Sequence, residues 1–155
     1  MEPTFRLAGD ADVDTILAFM RPFYEHDKVP FDEALARRAL AGIVRDRALG
    51  RVWMICDGAD PIGYVVLTLG YSLEYHGRDA FVDELYIHES RRRQGIGAKA
   101  VRFLEQACRE LDVQVLHLEA DRPNVAAQEL YRKLGFVDHD RYLMTRRITY
   151  RKKEE

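Results

Sequence analysis

The chain has 155 residues, of which 47% are hydrophobic and 32% charged, a balance typical of one globular domain with a packed interior. Its formal net charge of -2 at pH 7 does not suit a protein that coats nucleic acid or an anionic membrane, so we expect neither partner. No apolar run approaches the roughly 18 residues of a membrane span, and Cys56 and Cys108 lie in apolar patterns typical of buried thiols in a reducing compartment, which predicts a cytoplasmic protein.

The first 50 residues predict one short strand and two helices. "TFRLA", residues 4–8, has the pattern of a strand. A helix follows with Asp10 or Asp12 as its cap, and either Pro22 kinks or ends it or the later "DKVP" does. A second amphipathic helix is predicted from about Phe31 to Arg45.

From Gly50 onward the pattern changes to strands. Residues 51–56, 61–73 and 79–87 are rich in valine, isoleucine and aromatic side chains. The segments "DGADP" and "YHGR" between them are typical of hairpin turns. We therefore predict an antiparallel meander of three strands.

The second half predicts a crossover and a return to strands. A helix over "GIGAKAVRFLEQACREL" leads to a strand at 113–120, which we expect to run parallel to the preceding strand. A short helix at 124–135 closed by glycine and a final strand pair at 136–148 follow. The predicted fold class is α+β, a mixed sheet with an antiparallel meander, then a parallel strand pair, and helices on both faces. We expect one domain over residues 1–148 and a charged tail at 149–155.

The segment "RRRQGIG", Arg91 to Gly97, places three arginines and two glycines between a predicted strand and a predicted helix. The first amides of a helix lack backbone partners and carry partial positive charge, so they attract anions. Glycine lets the backbone approach a phosphate, and Arg91, Arg92 and Arg93 can add charge. The segment predicts a phosphate-binding loop, with a solvated basic turn as the alternative.

Other ligand motifs fit these residues poorly. A P-loop needs Ser or Thr after its lysine, but Ala100 follows Lys99. "GIGAKA" matches the dinucleotide pattern G-x-G-x-x-[GA], yet "HESRRRQ" separates it from the strand, and hairpins precede it. "HESRR" has Arg92 where a zinc-binding H-E-x-x-H has its second histidine, so we expect no metal.

Two longer motifs occur in the second half of the chain. Arg92 to Gly97 matches [RQ]-x-x-G-x-[GA], and Asn124 to Phe136 matches N-x-x-A-x-x-L-Y-x-x-x-G-F. Together they resemble the two central motifs of the GNAT superfamily of acyl-CoA-dependent N-acetyltransferases. The resemblance covers residues 62–148 closely and the first 50 residues only in pattern. It implies an enzyme, an acyltransferase that takes its acetyl group from acetyl-CoA.

The resemblance also implies roles for single residues. The strand at Leu85, Tyr86 and Ile87 would offer backbone groups to the pantetheine arm, and Asn124 would hydrogen-bond to the same arm. Tyr131 occupies the position of the tyrosine that protonates the departing thiolate. From the sequence alone, Asn124 is equally a helix N-cap and Tyr131 a packing residue. The pyrophosphate is expected at the backbone amides of Arg92, Arg93, Gln94, Gly95, Ile96, Gly97 and Ala98.

Transfer to an amine requires a proton acceptor, because an aliphatic amine with a pKa of about 10 is protonated at neutral pH. Asp83 and Glu84 are the candidates, and strand alternation sends them to opposite faces unless a bulge intervenes. We prefer Glu84, with Asp83 next, and each has the alternative of a surface ion pair. Four histidines are further candidates for a proton relay: His76, His88, His117 and His139.

Acidic residues dominate the stretch from Glu74 to Glu89, where Arg78 is the one arginine, and this favours a cationic acceptor. We predict direct transfer of an acetyl group to a primary amine of a small cationic amine or amino compound. One alternative is a protein N-terminal or lysine acetyltransferase, and another, from a different class, is a non-catalytic acyl-CoA-binding sensor. The sequence leaves a homodimer open.

Overall fold

In the computed structural model, which describes residues 1–150, the first 121 residues form one unit of five strands and three α-helices. The strands are β1 (Thr4–Leu7), β2 (Gly50–Asp57), β3 (Asp60–Ser72), β4 (Gly77–Ile87) and β5 (Val113–His117), and the helices are α1 (Val13–His26), α2 (Glu33–Arg45) and α3 (Ile96–Glu110). A second unit begins at Arg122 and contains α4 (Val125–Lys133). The single domain expected over residues 1–148 stays a prediction, and residues 151–155 of the expected tail lie outside the described residues.

The sheet of the first unit has the strand order β1-β2-β3-β4-β5. Pairing is antiparallel from β1 to β4 and parallel between β4 and β5. Short turns join β2 to β3 and β3 to β4 where hairpins were predicted, and α3 provides the crossover that parallel strands need. The predicted fold class is confirmed: an α+β protein with an antiparallel meander followed by a parallel strand pair.

Helices cover both faces of this sheet, and each face has its own apolar core. On the α1/α2 face, Ile16 and Leu40 of the helices pack in one cluster with Tyr64 of the sheet. On the α3 face, Leu104 of the helix packs in a second cluster with Val65 of the sheet. Neighbouring strand residues such as Tyr64 and Val65 belong to different cores because successive side chains of a strand point to opposite faces.

The helices of the α1/α2 face end and begin at recognisable signals. α1 runs through Pro22 to His26, so the later of its two predicted ends is right. Burial of the apolar side chains of α1 stabilises the helix by more than is lost with the one hydrogen bond that proline removes. α2 starts after Asp32, whose side chain accepts a hydrogen bond from the Leu35 amide at 3.1 Å, an N-cap interaction.

None of the helices within residues 1–150 is long and apolar enough to cross a membrane.

In the second unit, α4 lies within the predicted helix at 124–135. Gly135 has a φ of 96°, the left-handed conformation in which glycine commonly ends a helix. The strand pair predicted at 136–148 is wrong, because residues 136–150 contain no strand. A strand requires ladder hydrogen bonds from a neighbour, and an alternating sequence alone does not supply them. An ion pair between Arg132 and Asp138, at 2.6 Å, instead ties the start of this segment to α4.

Candidate active site

A β-bulge in β4 decides where its two acidic residues point. Val66 lies opposite Glu84 and Leu67 lies opposite Val82, so Asp83 is the extra residue of the bulge. Regular alternation from Glu84 would place Val82 on the α1/α2 face, yet Val82 packs in the core of the α3 face. The bulge therefore intervenes as the sequence analysis allowed, and it removes the reason for Asp83 and Glu84 to point apart.

Glu84 is half-buried and accepts hydrogen bonds from two tyrosines of the α1/α2 face. The hydroxyl of Tyr24, near the end of α1, donates to Oε2, and that of Tyr64 on β3 donates to Oε1 at 2.6 Å. Burial raises the pKa of Glu84; the two hydrogen bonds oppose this rise, and the negative charges of Asp83 and Asp27 add to it. A carboxyl group with a raised pKa at a fixed position is suited to accept a proton.

Asp83 is less constrained than Glu84. Its side chain is exposed, although the surrounding protein removes enough water to raise its pKa. Its charge also raises the pKa of Tyr24 and Tyr64, so it lies close enough to affect both tyrosines that hold Glu84. Within residues 1–150 no hydrogen bond or ion pair holds the Asp83 carboxylate. Of the two base candidates, Glu84 is the one with a fixed orientation.

β4 has an open edge in the region of these carboxylates. β5 pairs with β4 only from Arg78 to Phe81 and ends at His117. β4 itself continues to Ile87. In the first unit no strand pairs with this side of β4 over residues 82–87. Backbone groups along this stretch are therefore available to an extended ligand.

Strand alternation shows which backbone groups face this open edge. The His88 amide donates to the Ile62 carbonyl at 2.8 Å, so these two residues form a hydrogen-bonded pair of the β3–β4 ladder. Because such pairs alternate with non-bonded ones, the amide and carbonyl of Tyr86 point toward β3, and those of Leu85 and Ile87 point away from it. Of the three residues predicted to offer backbone groups, Leu85 and Ile87 have the orientation for it.

The three arginines after β4 have different surroundings. Arg91 pairs with Asp57 at 2.6 Å and with Asp60 at 3.4 Å, so it fixes the loop to the β2–β3 turn. Two carboxylates already neutralise this guanidinium. Of the three arginines that can add charge, Arg91 therefore has the least left for a phosphate.

Arg92 and Arg93 also differ from one another. The Nε of Arg92 donates to the Ile87 carbonyl at 2.9 Å, and its guanidinium lies 5.6 Å from the centre of the Tyr86 ring. Arg93 is exposed, and within residues 1–150 its side chain has neither an ion pair nor a hydrogen bond. Arg93 is thus the arginine of this loop that remains open to an anion.

The backbone of the loop before α3 suits a phosphate. Arg93 and Gly95 have φ values of 64° and 75°, both left-handed. In the described part of the chain, the amides of residues 93–95 donate to no backbone carbonyl, and the first amides of α3, at residues 96–98, have no partner within their helix. A Cβ added to Gly95 or Gly97 would meet no heavy atom within 4 Å beyond its immediate chain neighbours and the backbone of its own helix. Unpaired amides next to a helix N-terminus attract an anion, and the open space beside Gly95 and Gly97 leaves room for a group such as the pyrophosphate of coenzyme A.

The second unit contains the other two predicted site residues. The side chain of Asn124 accepts a hydrogen bond from the Ala127 amide at 3.2 Å, so its predicted N-cap role is observed. Tyr131 is half-buried in α4 and packs edge-on against Phe136, with ring centres 5.9 Å apart. Burial raises the pKa of Tyr131, so its hydroxyl stays protonated at neutral pH.

No sequence pattern pointed to Tyr24 and Tyr64 as partners of Glu84. Tyr24 lies 60 positions from Glu84 along the chain, and no local pattern marks such a contact. Two of the four candidate histidines have polar neighbours: His88 is hydrogen-bonded to Ser90, at 2.7 Å, and His117 lies 3.6 Å from Asp79. Within residues 1–150 no three side chains come together in a group that could hold a metal ion.

The sequence and the fold have counterparts among known proteins. The sequence model of the acetyltransferase (GNAT) family matches residues 14–136, which is most of the chain. The chain therefore belongs to the acetyltransferase (GNAT) family, a family of acyltransferases, as its two motifs predicted.

Individual relatives agree with this assignment. The chain is 32% identical over 81 residues to the chloroplastic GCN5-related N-acetyltransferase 6 of Arabidopsis thaliana; the match spans 46% of this chain and 28% of the plant protein. It is 24% identical over 147 residues to the thialysine N-epsilon-acetyltransferase of Bos taurus, covering 86% of this chain and 83% of the bovine one. An integron cassette protein from the mobile metagenome of Cole Harbour Salt Marsh has a similar structure, with a TM-score of 0.82 and 32% identity over 94% of this chain and 90% of its own.

Proposed function

We propose that the protein transfers an acetyl group from acetyl-CoA directly to a primary amine of a small cationic amine or amino compound. The observation that carries this proposal is the bulge of β4, which holds the half-buried Glu84 on the α1/α2 face beside the open edge of the same strand. A proton acceptor and an extended-ligand edge on one short segment are what amine acetylation requires.

Several groups are candidates for holding acetyl-CoA. The pantetheine arm would bond to the backbone of Leu85 and Ile87 at the open edge and to Asn124. The pyrophosphate would lie on the amides of residues 92–98, with Arg93 as a cationic partner. Arg92 would contribute its amide, while its side chain steadies the end of β4 through the Ile87 carbonyl. When bound, acetyl-CoA supplies a thioester whose acetyl carbon forms the new C–N bond as its C–S bond breaks.

Proton movements in the proposed reaction belong to two residues. Glu84, acting through a water molecule, takes the proton that the amine must lose. Tyr131 donates its hydroxyl proton to the leaving sulfur, and since a thiol has a pKa of about 8.5, this help contributes less than the base. Backbone amides of β4 at the open edge stabilise the negative charge that develops on the carbonyl oxygen.

The acceptor class is proposed from charge. Asp27, Asp83 and Glu84 are close enough for both aspartates to raise the pKa of Glu84. Such a field favours a cationic acceptor and disfavours an acidic one. The name of the bovine relative gives thialysine as the acceptor of that protein. We therefore propose that the acceptor is an amine of an amino acid or of a polyamine, in preference to an amine of a protein. We propose no nucleic acid or membrane partner, and a homodimer remains open.

A cytoplasmic location is part of the same proposal. Cys56 and Cys108 are both free and buried in the structure, and unpaired thiols are typical of proteins kept in a reducing compartment. Burial raises the pKa of both thiols, which makes them poor nucleophiles and favours direct transfer over an acetyl-cysteine intermediate.

The test is thiol release from acetyl-CoA with pools of amino acids including thialysine, polyamines, aminoglycosides and short peptides. We expect turnover with a small-amine pool. Glu84→Gln should lower kcat/KM by about a hundredfold or more, whereas Asp83→Asn should lower it by less than about tenfold. Tyr131→Phe should have an intermediate effect, about tenfold, because the thiolate needs only modest help.

Glu89→Gln is the matched control, because Glu89 is an exposed carboxylate two residues beyond β4. Reactions without acceptor measure any acetylation of Cys56 or Cys108. Full activity of Glu84→Gln with a defective Asp83→Asn would transfer the base role to Asp83. Turnover with peptides alone would show that the acceptor is a protein and not a small amine. Binding of acetyl-CoA without turnover in any pool would support a non-catalytic acyl-CoA-binding sensor.

A further inference from the structure

Two tyrosines each hold one oxygen of the Glu84 carboxylate. Tyr24 donates to Oε2 from the end of α1, and Tyr64 donates to Oε1 from the middle of β3. Tyr64 is 0% exposed and Tyr24 is half-buried, so water does not readily replace either hydroxyl. Neither tyrosine takes part in the proposed transfer, and within residues 1–150 each hydroxyl has Glu84 as its hydrogen-bond partner.

Both hydroxyls act as permanent donors. Burial and the nearby carboxylates raise the pKa of Tyr24 and of Tyr64, so both phenols stay protonated across the pH range in which an enzyme works. A donor to a carboxylate favours its ionised form. A carboxylate has about four lone-pair positions, so the two tyrosines leave room on each oxygen for the water or amine that must be deprotonated.

The remaining groups around Glu84 act in the opposite direction. Burial disfavours its charge, and the like charges of Asp83 on β4 and Asp27 just after α1 disfavour it further. In the described residues no Lys, Arg or His forms an ion pair with Glu84. The two tyrosine hydroxyls are thus the groups that favour the ionised form of this carboxylate against the effects of burial and like charge.

We propose that Tyr24 and Tyr64 are positioning residues that keep the Glu84 carboxylate ionised and oriented, and that they thereby set the pH above which acetyl transfer becomes efficient. This inference rests on the proposed function, in which Glu84 is the base. It also links the base to two separate elements, since one hydroxyl comes from α1 and the other from the sheet.

The direction of the effect follows from the ionisation of Glu84. Replacing either tyrosine by phenylalanine removes one donor, which favours the protonated carboxyl. The acidic limb of the plot of kcat/KM against pH should then move to higher pH. At a pH on that limb, kcat/KM should fall about tenfold for each hydroxyl removed, and it should recover to the wild-type value as the pH rises. The amine acceptor also ionises, but identically for every variant, so differences between the profiles report on the enzyme.

The experiment compares Tyr24→Phe and Tyr64→Phe with wild type and with Tyr71→Phe. Tyr71 is a matched control because it also lies on β3 but is 77% exposed. Each protein is assayed for kcat/KM against pH with acetyl-CoA and the active acceptor amine. In parallel, 13C NMR titration follows the Glu84 carboxyl, assigned by its loss in Glu84→Gln, and needs neither acceptor nor turnover.

We expect the Glu84 titration and the acidic limb to move together to higher pH in Tyr24→Phe and Tyr64→Phe, and not in Tyr71→Phe. An unchanged Glu84 titration in both variants would overturn the inference even if activity falls. If the titration moves while the limb stays, the kinetic part of the inference is wrong and the assignment of Glu84 as base fails with it. If Tyr64→Phe does not fold, the half-buried Tyr24 decides alone.

Discussion

Gly95 and Gly97 stand two positions apart in the loop before α3, but their backbones differ. Gly95 has a φ of 75°, whereas Gly97 lies in the first turn of the helix and is not left-handed. A Cβ at either position would meet no heavy atom within 4 Å beyond its immediate chain neighbours and the backbone of its own helix, so steric crowding does not distinguish the two alanine variants. Any difference between substitutions at the two sites therefore reports on backbone conformation.

Alanine at the two glycines should have opposite effects on stability. Gly95→Ala places a Cβ in the left-handed region and should lower the free energy of unfolding by about 1 kcal/mol. Gly97→Ala removes backbone entropy from a helix and should raise it by a similar amount. Urea unfolding of both variants measures this.

Binding provides a second readout at Gly95. Relief of the strain in Gly95→Ala would rotate the unpaired amides of residues 93–95, so the Kd for coenzyme A should rise about tenfold or more. Equal stability changes in the two alanine variants, or unchanged coenzyme A binding in Gly95→Ala, would contradict the idea that this left-handed turn forms the phosphate site.

At the scale of elements, α4 shows how one side chain can have two roles. Asn124 caps the helix with its carbonyl oxygen, which leaves its amide group for another partner. Asn124→Asp keeps the cap oxygen but loses the amide, while Asn124→Ala loses both. The pair of variants separates the structural role from the proposed contact with pantetheine.

We expect Asn124→Asp to unfold like wild type and Asn124→Ala to lose about 1 kcal/mol. If the amide binds pantetheine, both variants should raise the KM for acetyl-CoA about tenfold. Steady-state kinetics at saturating acceptor measures this. A normal KM in Asn124→Asp would assign Asn124 to capping alone.

Local patterns account for the elements that the sequence predicted. Hydrophobic periodicity and turn residues marked α3, β4 and the loop between them because their signals lie within a few neighbouring residues. The pairing of Tyr24 with Glu84 gives no such signal, since it depends on packing α1 across the sheet. The strand pair expected at 136–148 failed for a related reason, as alternation indicates a strand only when a neighbouring strand supplies hydrogen bonds.

The sequence suggested residues for the candidate site but not their geometry. Glu84 and the loop before α3 were proposed from chemistry and resemblance, and this proposal stays a prediction, whereas "VDELYI" is equally compatible with a strand that has a bulge and one that does not. Likewise, the count of three arginines does not show that Arg91 is already paired with Asp57 and Asp60. Orientation depends on contacts between distant parts of the chain, which one sequence does not specify.

For the molecule as a whole, a buried carboxylate at the site reduces stability. Burial raises the pKa of Glu84 in the folded protein above its unfolded value, so the folded state holds this proton more readily. The contribution of Glu84 to the free energy of unfolding is therefore greatest below its unfolded-state pKa. It falls as the pH rises from that value through the higher pKa of the folded state. In the proposed mechanism, activity near neutral pH requires the less stable, ionised form of Glu84.

Glu84→Gln should consequently stabilise the protein while it inactivates it. We expect a gain of about 1 kcal/mol, or about 3 °C in Tm, at pH 7.5, and a gain that shrinks as the pH falls toward about 4. Glutamine can still accept from one tyrosine and donate to the other. Thermal unfolding at several pH values, with the exposed Glu89→Gln as control, measures the difference; a loss of stability at pH 7.5 would contradict it.

The bulge at Asp83 also makes β4 one residue longer than its pairing with β3 requires. Val82 lies opposite Leu67 and Glu84 lies opposite Val66, so deletion of Asp83 would make Val82 and Glu84 consecutive while each kept the face that it now occupies. A related protein could therefore lack this one residue and still have a glutamate on the α1/α2 face, with a regular strand in place of the bulge.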